Sequence, residues 1–138
     1  MTNETHKVLL CLASNSQQKQ NMEAARSLLS GLLADLHYTT EHWTEPVATH
    51  GDRHPVQTDS AQGACPHVLY LNQLATGITD MEAEDLNLRL KEIEQQLGRK
   101  HDKSGIVTID IDLLQHDDTR YHLRDWERDY VKDLLVEL

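Results

Sequence analysis

The segment from Lys7 to Ala13, KVLLCLA, is apolar on both faces of the strand that it would form, and polar residues bound it on each side. Because side chains alternate across a strand, this pattern is typical of a central strand that other elements cover on both faces. The rest of the chain must therefore supply a sheet and its covering layers. A chain of 138 residues is long enough for one such core and short for two, so we expect a single domain over residues 1–138.

Two further segments show the three- and four-residue spacing of apolar residues that predicts an amphipathic helix. The first follows the stretch SNS, whose side chains can cap a helix. The second is predicted to begin at Thr79, where Glu82 completes a capping box, and to end at Gly98 in a left-handed turn. The predicted buried stripes are Met22, Ala25, Leu29, Leu32 and Leu36 in the first helix and Leu86, Leu90, Ile93 and Leu97 in the second.

Three more strands and a closing helix are predicted from the remaining patterns. The segment His37–Trp43 is rich in β-branched and aromatic residues, and the segments His67–Ala75 and Ile106–Leu114 alternate in side-chain character. Residues 124–138, RDWERDYVKDLLVEL, predict a short terminal helix. The resulting order is that of an α+β, ferredoxin-like β-α-β-β-α-β domain, with two helices on one face of an antiparallel four-stranded sheet and the other face open to a ligand.

The chain combines a long polar loop with an acidic charge balance. Residues 48–66 contain glycine, proline, serine and aspartate and almost no large apolar side chain, which predicts an exposed, flexible loop. We expect this loop to act as a lid that becomes ordered when ligands bind. With 13 basic and 23 acidic residues the formal net charge is -10, which disfavours nucleic acid and anionic membranes as partners.

The sequence also favours a cytoplasmic location. The apolar run that begins near Val8 is far shorter than the roughly 20 residues that a membrane-spanning helix needs, and an acidic, polar leader precedes it. The two cysteines, Cys11 and Cys65, lie in an apolar run and in a polar loop, which does not predict a disulfide framework. We therefore expect a reducing compartment, with neither a signal peptide nor a membrane span.

The stretch Val107–Asp117, VTIDIDLLQHD, places two aspartates inside an otherwise apolar strand. Because side chains alternate, Asp110 and Asp112 share one face of this strand, while Val107, Ile109, Ile111 and Leu113 share the other. A spacing of roughly 6 to 7 Å suits carboxylates that share or flank a hard cation such as Mg²⁺, although a solvated face would show the same pattern. If the third strand pairs in register, Tyr70 and Asn72 would line the same site and suit a planar polar heterocycle.

Six short stretches, LASNS, NMEAARSLL, TEPV, YLNQL, IEQQLGR and TIDIDLL, follow one another across nearly the whole chain. They resemble, in the same order, motifs of the 6-hydroxymethyl-7,8-dihydropterin pyrophosphokinase family. Members of this family transfer pyrophosphate from ATP to the pterin in folate biosynthesis and release AMP. The resemblance therefore implies a magnesium-dependent pyrophosphokinase whose partners are a small-molecule pterin and ATP, and we expect it to be a monomer.

Carried over residue by residue, the resemblance implies that Asp110 and Asp112 are the catalytic residues and hold two magnesium ions. They would neutralise charge on the ATP phosphates and orient the pterin hydroxymethyl group for in-line attack. The implied pterin-binding residues are Thr44, Pro46, Val47, Tyr70, Asn72 and Tyr130. The implied ATP-binding residues are Arg99, Lys100, Lys103, His122 and Arg128.

The chain departs from the family on the nucleotide side. KHDKSGIV replaces the usual Trp-Gly-Pro-Arg stretch before the aspartate strand, and offers Lys100, His101 and Lys103 as phosphate partners. One charge-assisted hydrogen bond contributes roughly 1.5 to 3 kcal/mol, so an arginine lost without replacement would weaken nucleotide binding about tenfold to a hundredfold. A second hypothesis is therefore a pterin- or nucleotide-binding relative without turnover.

Two hypotheses from other classes stay open. The acidic second helix could dock a protein partner, although its one apolar stripe is assigned to the core. A loop cluster could instead bind zinc through nitrogen and sulfur ligands, although solvated loop histidines would show the same pattern. The candidate zinc ligands are His42, His50, His54, Cys65 and His67.

Overall fold

The central apolar segment forms the middle strand of an antiparallel sheet in the computed structural model, which describes residues 4–45, 69–100 and 104–138. The elements, in chain order, are β1 (His6–Ser14), α1 (Gln18–Ser30), β2 (Ala34–Tyr38), β3 (His42–Thr44), β4 (Tyr70–Thr79), α2 (Ala83–Gln96), β5 (Asp110–His116), β6 (Thr119–Arg120), a 3₁₀ helix (Asp125–Glu127) and α3 (Asp129–Leu135). The described residues thus form a mixed α/β structure with three α-helices and a six-stranded sheet. Among them, every helix is too short or too polar to cross a membrane.

The sheet has β1 at its centre. The strands lie in the order β2-β4-β1-β5-β6, and β3 pairs with the first residues of β4. The pairing between neighbouring strands is antiparallel throughout these described strands. Because β4 and β5 flank β1 on its two edges, the predicted central position of the segment Lys7–Ala13 is confirmed.

Helices α1 and α2 cover one face of the sheet. Val8, Leu10 and Leu12 of β1 belong to one buried cluster with side chains from both helices. The fully or almost fully buried helix residues in this cluster are Met22, Ala25, Leu29, Leu86, Leu90 and Ile93. Burying a Leu, Ile or Met side chain contributes roughly 1.5 to 3 kcal/mol, so this layer is a main source of stability, and its helix residues are those that the apolar spacing predicts.

The opposite face of the sheet is not open along its whole length, contrary to the sequence-based prediction. Helix α3 packs against part of it and forms a second buried cluster there. The buried residues of that cluster are Leu9, Cys11, Leu74, Leu114, Val131 and Leu134. The terminal segment is amphipathic, but its own pattern does not tell which layer it joins, since that depends on contacts with distant strands.

The first helix is shorter than the apolar spacing predicts. It ends at Ser30, and the N–H of Gly31 bonds back to the carbonyl of Leu28. Leu32 still packs against the core, but Leu36 lies in β2. The helical spacing of apolar residues continues past the end of α1 because Leu36, although it lies in β2, also packs against the core.

The predicted second strand, His37–Trp43, is two strands, β2 and β3, separated at residues 39–41. Thr39 holds the break in place, because its hydroxyl accepts the N–H of Leu74 at 3.0 Å and its carbonyl accepts the side-chain amide of Gln73 at 2.6 Å. A run of residues with strand propensity contains no signal for this interruption. The predicted loop at 48–66 lies outside the described residues.

The second helix begins four residues after the predicted start. Strand β4 continues to Thr79, whose hydroxyl accepts the N–H of Met81 at 3.0 Å, and α2 begins at Ala83 after Glu82. The predicted capping box is therefore wrong, since Glu82 makes no side-chain capping bond. At the other end Gly98 has a φ of 100°, which confirms the predicted left-handed turn.

The last two elements also differ in their bounds. The fourth strand, predicted over Ile106–Leu114, is β5 at Asp110–His116, and a tight turn leads from it into the short strand β6. The closing segment forms a 3₁₀ helix and then α3 rather than one continuous helix. Of the third predicted strand, residues 67 and 68 lie outside the described residues, and β4 begins at Tyr70.

A histidine–aspartate pair holds the end of the sheet at the start of β1. His6 Nδ1 lies 2.5 Å from Asp117 Oδ2, and Asp117 Oδ1 accepts the N–H of Lys7 at 3.0 Å. The ring of His116 packs on that of His6, with the ring centroids 4.4 Å apart. The hydrogen bond to Asp117 raises the pKa of His6, and the same bond lowers the pKa of Asp117.

These two shifts predict a pH window for the contribution of the pair to stability. The raised pKa of His6 stabilises the fold below the unfolded value of about 6.5, and this contribution is lost as the pH rises through the folded value. The lowered pKa of Asp117 stabilises the fold above about 3.9, and this is lost as the pH falls. We expect His6→Gln to lower the urea midpoint strongly at about pH 5.5 and weakly at about pH 9.

The control for this prediction is His37→Gln, because His37 pairs with Asp35 at 3.2 Å at an exposed site. Exposed pairs of this kind contribute little, so its urea midpoint should match that of the unchanged protein at both pH values. An equal loss for His6→Gln at both pH values would show that packing of the ring, rather than its charge, stabilises the sheet end.

Candidate active site

The two aspartates lie on the face of the sheet that α3 partly covers. In β5, Asp112 pairs with Cys11 of β1 and Asp110 pairs with Ala13. Their side chains are 21% and 35% exposed, while the intervening Ile111 is buried on the other face. The predicted division of this strand into an apolar face and a carboxylate face is confirmed.

The third predicted strand brings its polar residues to the same place. In β4, Asn72 pairs with the same Ala13 that faces Asp110, and Tyr70 pairs with Thr44 of β3. Asn72, Ala13 and Asp110 thus form one row across three adjacent strands, which spans roughly 10 Å because strands lie about 4.8 Å apart. The register that the sequence left open is therefore the one that a shared site requires.

These residues line one cavity of about 880 Å³ between the sheet and the α3 segment. Thr44, Tyr70 and Asn72 lie on its sheet side, and Tyr130 of α3 lines it with them. The predicted site residues found in this lining are Thr44, Tyr70, Asn72, Asp110, Asp112, Arg128 and Tyr130. The structure therefore brings the candidate metal-binding and heterocycle-binding residues together.

Asn72 fixes the wall of the cavity next to it. It is 2% exposed, and its Nδ2 donates to the carbonyl of His42 at 3.0 Å and to the hydroxyl of Thr44 at 2.8 Å. Strand β3 is thereby held against β4. The amide nitrogen of Asn72 is therefore already used within the fold.

The α3 side of the cavity is aromatic. The ring of Tyr130 stacks on that of His42, with centroids 6.3 Å apart and planes 19° apart. The Tyr130 hydroxyl lies 3.7 Å from the sulfur of Cys11, a free and buried thiol. Burial raises the pKa of Cys11 to about 12, so this thiol is neutral at physiological pH and unsuited to act as a nucleophile.

The carboxylate of Glu137 joins the β3 side of the cavity to its α3 side. Glu137 accepts the N–H of Thr40 through Oε1 and the hydroxyl of Thr40 through Oε2, each at 2.7 Å. Thr40 precedes β3, whereas Glu137 follows α3. The segment that carries His42 and Thr44 is thus tied to the helix that carries Tyr130.

The aspartate end of the cavity has excess negative charge. Burial and the nearby charge of Asp110 raise the pKa of Asp112 to about 6, because both disfavour a second carboxylate anion at this place. Asp125 also lies close, since ligand atoms of Asp112, His122 and Asp125 are within 4.8 Å of one another. Carboxylate oxygens are the ligands that Mg²⁺ prefers, so the donor set fits a magnesium ion.

Lys91 and Glu94 of α2 contact the aspartate strand, and the sequence-based site prediction lacks both. Glu94 is 1% exposed and accepts the N–H of Ile111 at 2.7 Å. Lys91 Nζ lies 2.9 Å from Glu94, 3.4 Å from Asp112 and 3.8 Å from Asp110. A signal exists in the sequence, because Glu94 follows Leu90 by four residues and so lies on the buried stripe of its helix.

The predicted nucleotide residues are only partly brought to this site. His122 Nε2 lies 3.9 Å from Asp112, and Arg128 lines the cavity while paired with Asp125 at 2.9 Å. Arg99 is not part of the lining, and its Nη1 lies 3.4 Å from the carbonyls of Lys100 and Ile106. Its Nε is buried without a hydrogen-bond partner among the described residues.

Several other residues named in the sequence-based predictions lie outside the described part of the chain. These are Pro46, Val47 and Lys103, together with the candidate zinc ligands His50, His54, Cys65 and His67. The remaining candidate zinc ligand, His42, stacks on Tyr130 in the cavity wall. Acidic residues of the 3₁₀ helix and of α3, which the sequence-based site prediction does not include, also line the cavity, namely Asp125, Glu127, Asp129 and Asp133.

Comparison with known proteins identifies the family to which the chain belongs. A folate synthesis bifunctional protein of Arabidopsis thaliana, described as mitochondrial, is 28% identical over 144 residues. The aligned region covers 96% of this chain and 23% of that protein, so the chain spans less than a quarter of its relative's length. A family model for 7,8-dihydro-6-hydroxymethylpterin-pyrophosphokinase matches residues 9–138, which include every residue found in the lining of the cavity. With a match of that extent, the chain belongs to the 7,8-dihydro-6-hydroxymethylpterin-pyrophosphokinase family.

Proposed function

We propose that the protein transfers the pyrophosphoryl group of ATP to the hydroxymethyl group of 6-hydroxymethyl-7,8-dihydropterin and releases AMP. Membership of the family implies a pyrophosphokinase that acts in folate biosynthesis. The observation that carries the proposal for this chain is the shared cavity, which Asp110, Asp112, Tyr70 and Asn72 line together. The order β2-β4-β1-β5 supports a ferredoxin-like assignment for the sheet that builds it.

In this proposal Asp110 and Asp112 would hold two magnesium ions, whose positive charge would neutralise the charge of the phosphates. The aromatic wall with Tyr70 and Tyr130 receives the flat pterin ring, and the amide oxygen of Asn72 accepts a hydrogen bond from the ring edge. The pterin hydroxymethyl oxygen then forms its bond to the β-phosphorus while the bond from that phosphorus to the AMP oxygen breaks. The contribution of the protein is mainly the positioning of both substrates and electrostatic stabilisation.

The cationic side of the proposal uses residues from several segments. In this proposal His122, which lies 3.9 Å from Asp112, and Arg128, which lines the cavity, bind the phosphates. Lys100 and Lys103 remain proposed partners on the basis of sequence alone. Arg99 would need to leave its contacts with the carbonyls of Lys100 and Ile106 to reach a phosphate.

The proposal predicts pterin-dependent release of AMP when the purified protein is incubated with magnesium, ATP and 6-hydroxymethyl-7,8-dihydropterin. Release of AMP, measured by chromatography, should stop when the pterin is omitted or when a chelator removes magnesium. ATP hydrolysis that gives ADP in the absence of pterin would instead indicate a different enzyme.

A second candidate function is a binding protein without turnover. It is favoured by the position of Arg99 outside the cavity and by the absence of the family's Trp-Gly-Pro-Arg stretch. This candidate predicts that the protein binds the pterin, as measured by pterin fluorescence, but releases no AMP. The two measurements on one preparation therefore separate the candidates.

A further inference from the structure

The side chain of Lys91 reaches the aspartate pair around the outer edge of β5. Strand β6 pairs only with Gln115 and His116, so the edge of β5 at Ile111 has no strand beside it among the described residues. The side chains of α2 take that place, because Glu94 accepts the N–H of Ile111 and Lys91 donates to its carbonyl at 3.2 Å. Lys91 is therefore anchored to the strand that carries both aspartates.

The ammonium group of Lys91 is shared among several carboxylates. It has three protons to donate, and its near neighbours are Glu94 at 2.9 Å, the Ile111 carbonyl at 3.2 Å and Asp112 at 3.4 Å. Asp110 lies at 3.8 Å, within ion-pair range. The side chain is 38% exposed, so it retains access to solvent, and it lies at the strand edge rather than among the residues that line the cavity.

We propose that Lys91 is an internal counter-ion of the aspartate pair, which competes with the first divalent cation and then binds the nucleotide phosphates once the cation occupies Asp110 and Asp112. The proposal rests on the proposed function only for the identity of the nucleotide. Its first half, competition between an ammonium group and a metal ion, concerns the free protein.

The exchange follows from charge balance at one set of oxygens. An ammonium group within 4 Å of a carboxylate favours the anionic form and lowers the affinity of that carboxylate for a further cation. When a divalent ion binds both aspartates, it repels Lys91 from the same oxygens. The four-carbon stem of lysine is flexible, and the ion pair with Glu94 keeps the ammonium group beside the site. A polyphosphate brought by the metal offers it a new anionic partner.

A role of Lys91 in phosphate binding also fits the sequence of the segment before the aspartate strand. The segment KHDKSGIV lacks the arginine that the related motif supplies, and Arg99 lies outside the cavity lining. A cation from α2 that Glu94 holds beside the aspartates would then be available to phosphates bound next to them. Lys91 would then fulfil part of the role of the missing arginine.

The test compares Lys91→Met with the unchanged protein, with Mn²⁺ as the probe of the metal site. We expect removal of the competing ammonium to tighten Mn²⁺ binding by about tenfold in the absence of nucleotide, by analogy with the effect of one adjacent charge on proton affinity. With saturating Mn²⁺, binding of α,β-methylene ATP should weaken by about tenfold, since one charge-assisted contact is lost. Titration calorimetry measures both affinities without turnover.

Lys19→Met is the matched control. Lys19 pairs with Glu41 at 3.0 Å and takes no part in the cavity, so this change removes the same charge from the chain at another place. Both affinities should be unchanged in the control. Lys91→Gln provides a second variant in case Lys91→Met folds poorly, because its amide keeps a neutral donor for Glu94. It should likewise bind Mn²⁺ more tightly and α,β-methylene ATP more weakly than the unchanged protein.

Mn²⁺ affinity of the Lys91 variants equal to or weaker than that of the unchanged protein would overturn the proposal. Nucleotide affinity equal to that of Lys19→Met would overturn it as well. Asp112→Asn in the same titration should abolish the tight Mn²⁺ site, which shows that the probe reports on the aspartate pair. Failure of the proposed function is a separate result, because it appears as absence of AMP and leaves the Mn²⁺ comparison intact.

Discussion

Replacing Asp112 with asparagine is expected to reduce AMP formation by about a hundredfold to a thousandfold, the range seen when one group that stabilises transition-state charge is removed. The change keeps the size and shape of the side chain and removes only its charge. Asp112 is expected to hold magnesium against the phosphates, so the neutral amide should fail in that role. Release of AMP under saturating substrates is the measurement.

The same substitution should not weaken the fold. Burial and the charge of Asp110 raise the pKa of Asp112 to about 6, above the unfolded value of about 3.9. The ionised carboxylate therefore destabilises the folded state, by an amount that grows between about pH 4 and pH 6 and is fully present at higher pH. In buffer free of metal, the urea midpoint of Asp112→Asn should exceed that of the unchanged protein more at about pH 8 than at about pH 4.

Loss of activity together with gain of stability is the combination that a binding residue gives and a merely structural one does not. Asp118→Asn serves as the control, because Asp118 is exposed in the turn between β5 and β6. That variant should keep both its activity and its urea midpoint. An Asp112→Asn variant that retains turnover would remove Asp112 from the metal site, and one that is less stable at pH 8 would show that its carboxylate supports the fold.

Replacing Glu94 with alanine is expected to destabilise the protein by about 2 to 3 kcal/mol, because it leaves the buried N–H of Ile111 without its acceptor. The same change removes the anchor of Lys91. The edge of β5 beside the aspartates should therefore loosen, and hydrogen exchange at Ile111 should accelerate. Urea denaturation at neutral pH measures the change in the free energy of unfolding.

Glu92→Ala is the matched control on the same helix. Glu92 forms an exposed ion pair with Arg89 at 3.2 Å, and such pairs contribute less than about 0.5 kcal/mol. Glu94→Gln should be milder than Glu94→Ala, since the amide oxygen can still accept the Ile111 N–H. If Glu92→Ala and Glu94→Ala cost the same, the position on the buried stripe has no special role.

The sequence predicts well what depends on neighbours in the chain. The two faces of the aspartate strand follow from side-chain alternation, and the buried residues of α1 and α2 follow from helical spacing. Both predictions are confirmed, because periodicity is a local property. The left-handed turn at Gly98 is likewise a property of one residue type.

Features that depend on distant contacts could not be predicted in the same way. The break in the second predicted strand arises from bonds between Thr39 and the distant β4 residues Gln73 and Leu74. Helix α3 joins the carboxylate face of the sheet through contacts with β1, β4 and β5, which its own pattern does not specify. Its acidic residues were therefore absent from the predicted site.

In the candidate site, too, some residues could be predicted from local patterns and others depend on distant contacts. Asp110, Asp112, Tyr70 and Asn72 were selected from patterns within two strands, and the antiparallel register through β1 brings them to one cavity. The sequence-based site prediction lacks Lys91, because Lys91 lies on α2 and reaches the aspartates around the edge of β5. The spacing of residues along the chain does not reveal such a contact. The only local signal is Glu94, a carboxylate on the apolar stripe of α2.

The bonds between Glu137 and Thr40 bear on the entropy of ligand binding. They join two segments far apart in the chain, so the wall with His42 and the helix with Tyr130 take their relative positions when the protein folds. Immobilising a side chain or loop on binding costs roughly 0.5 to 1.5 kcal/mol for each flexible group. Under the proposed function, the part of the cavity lined by His42, Thr44 and Tyr130 has already lost that freedom and is preorganised for the flat pterin ring, whereas Lys91 would still exchange partners when a nucleotide binds.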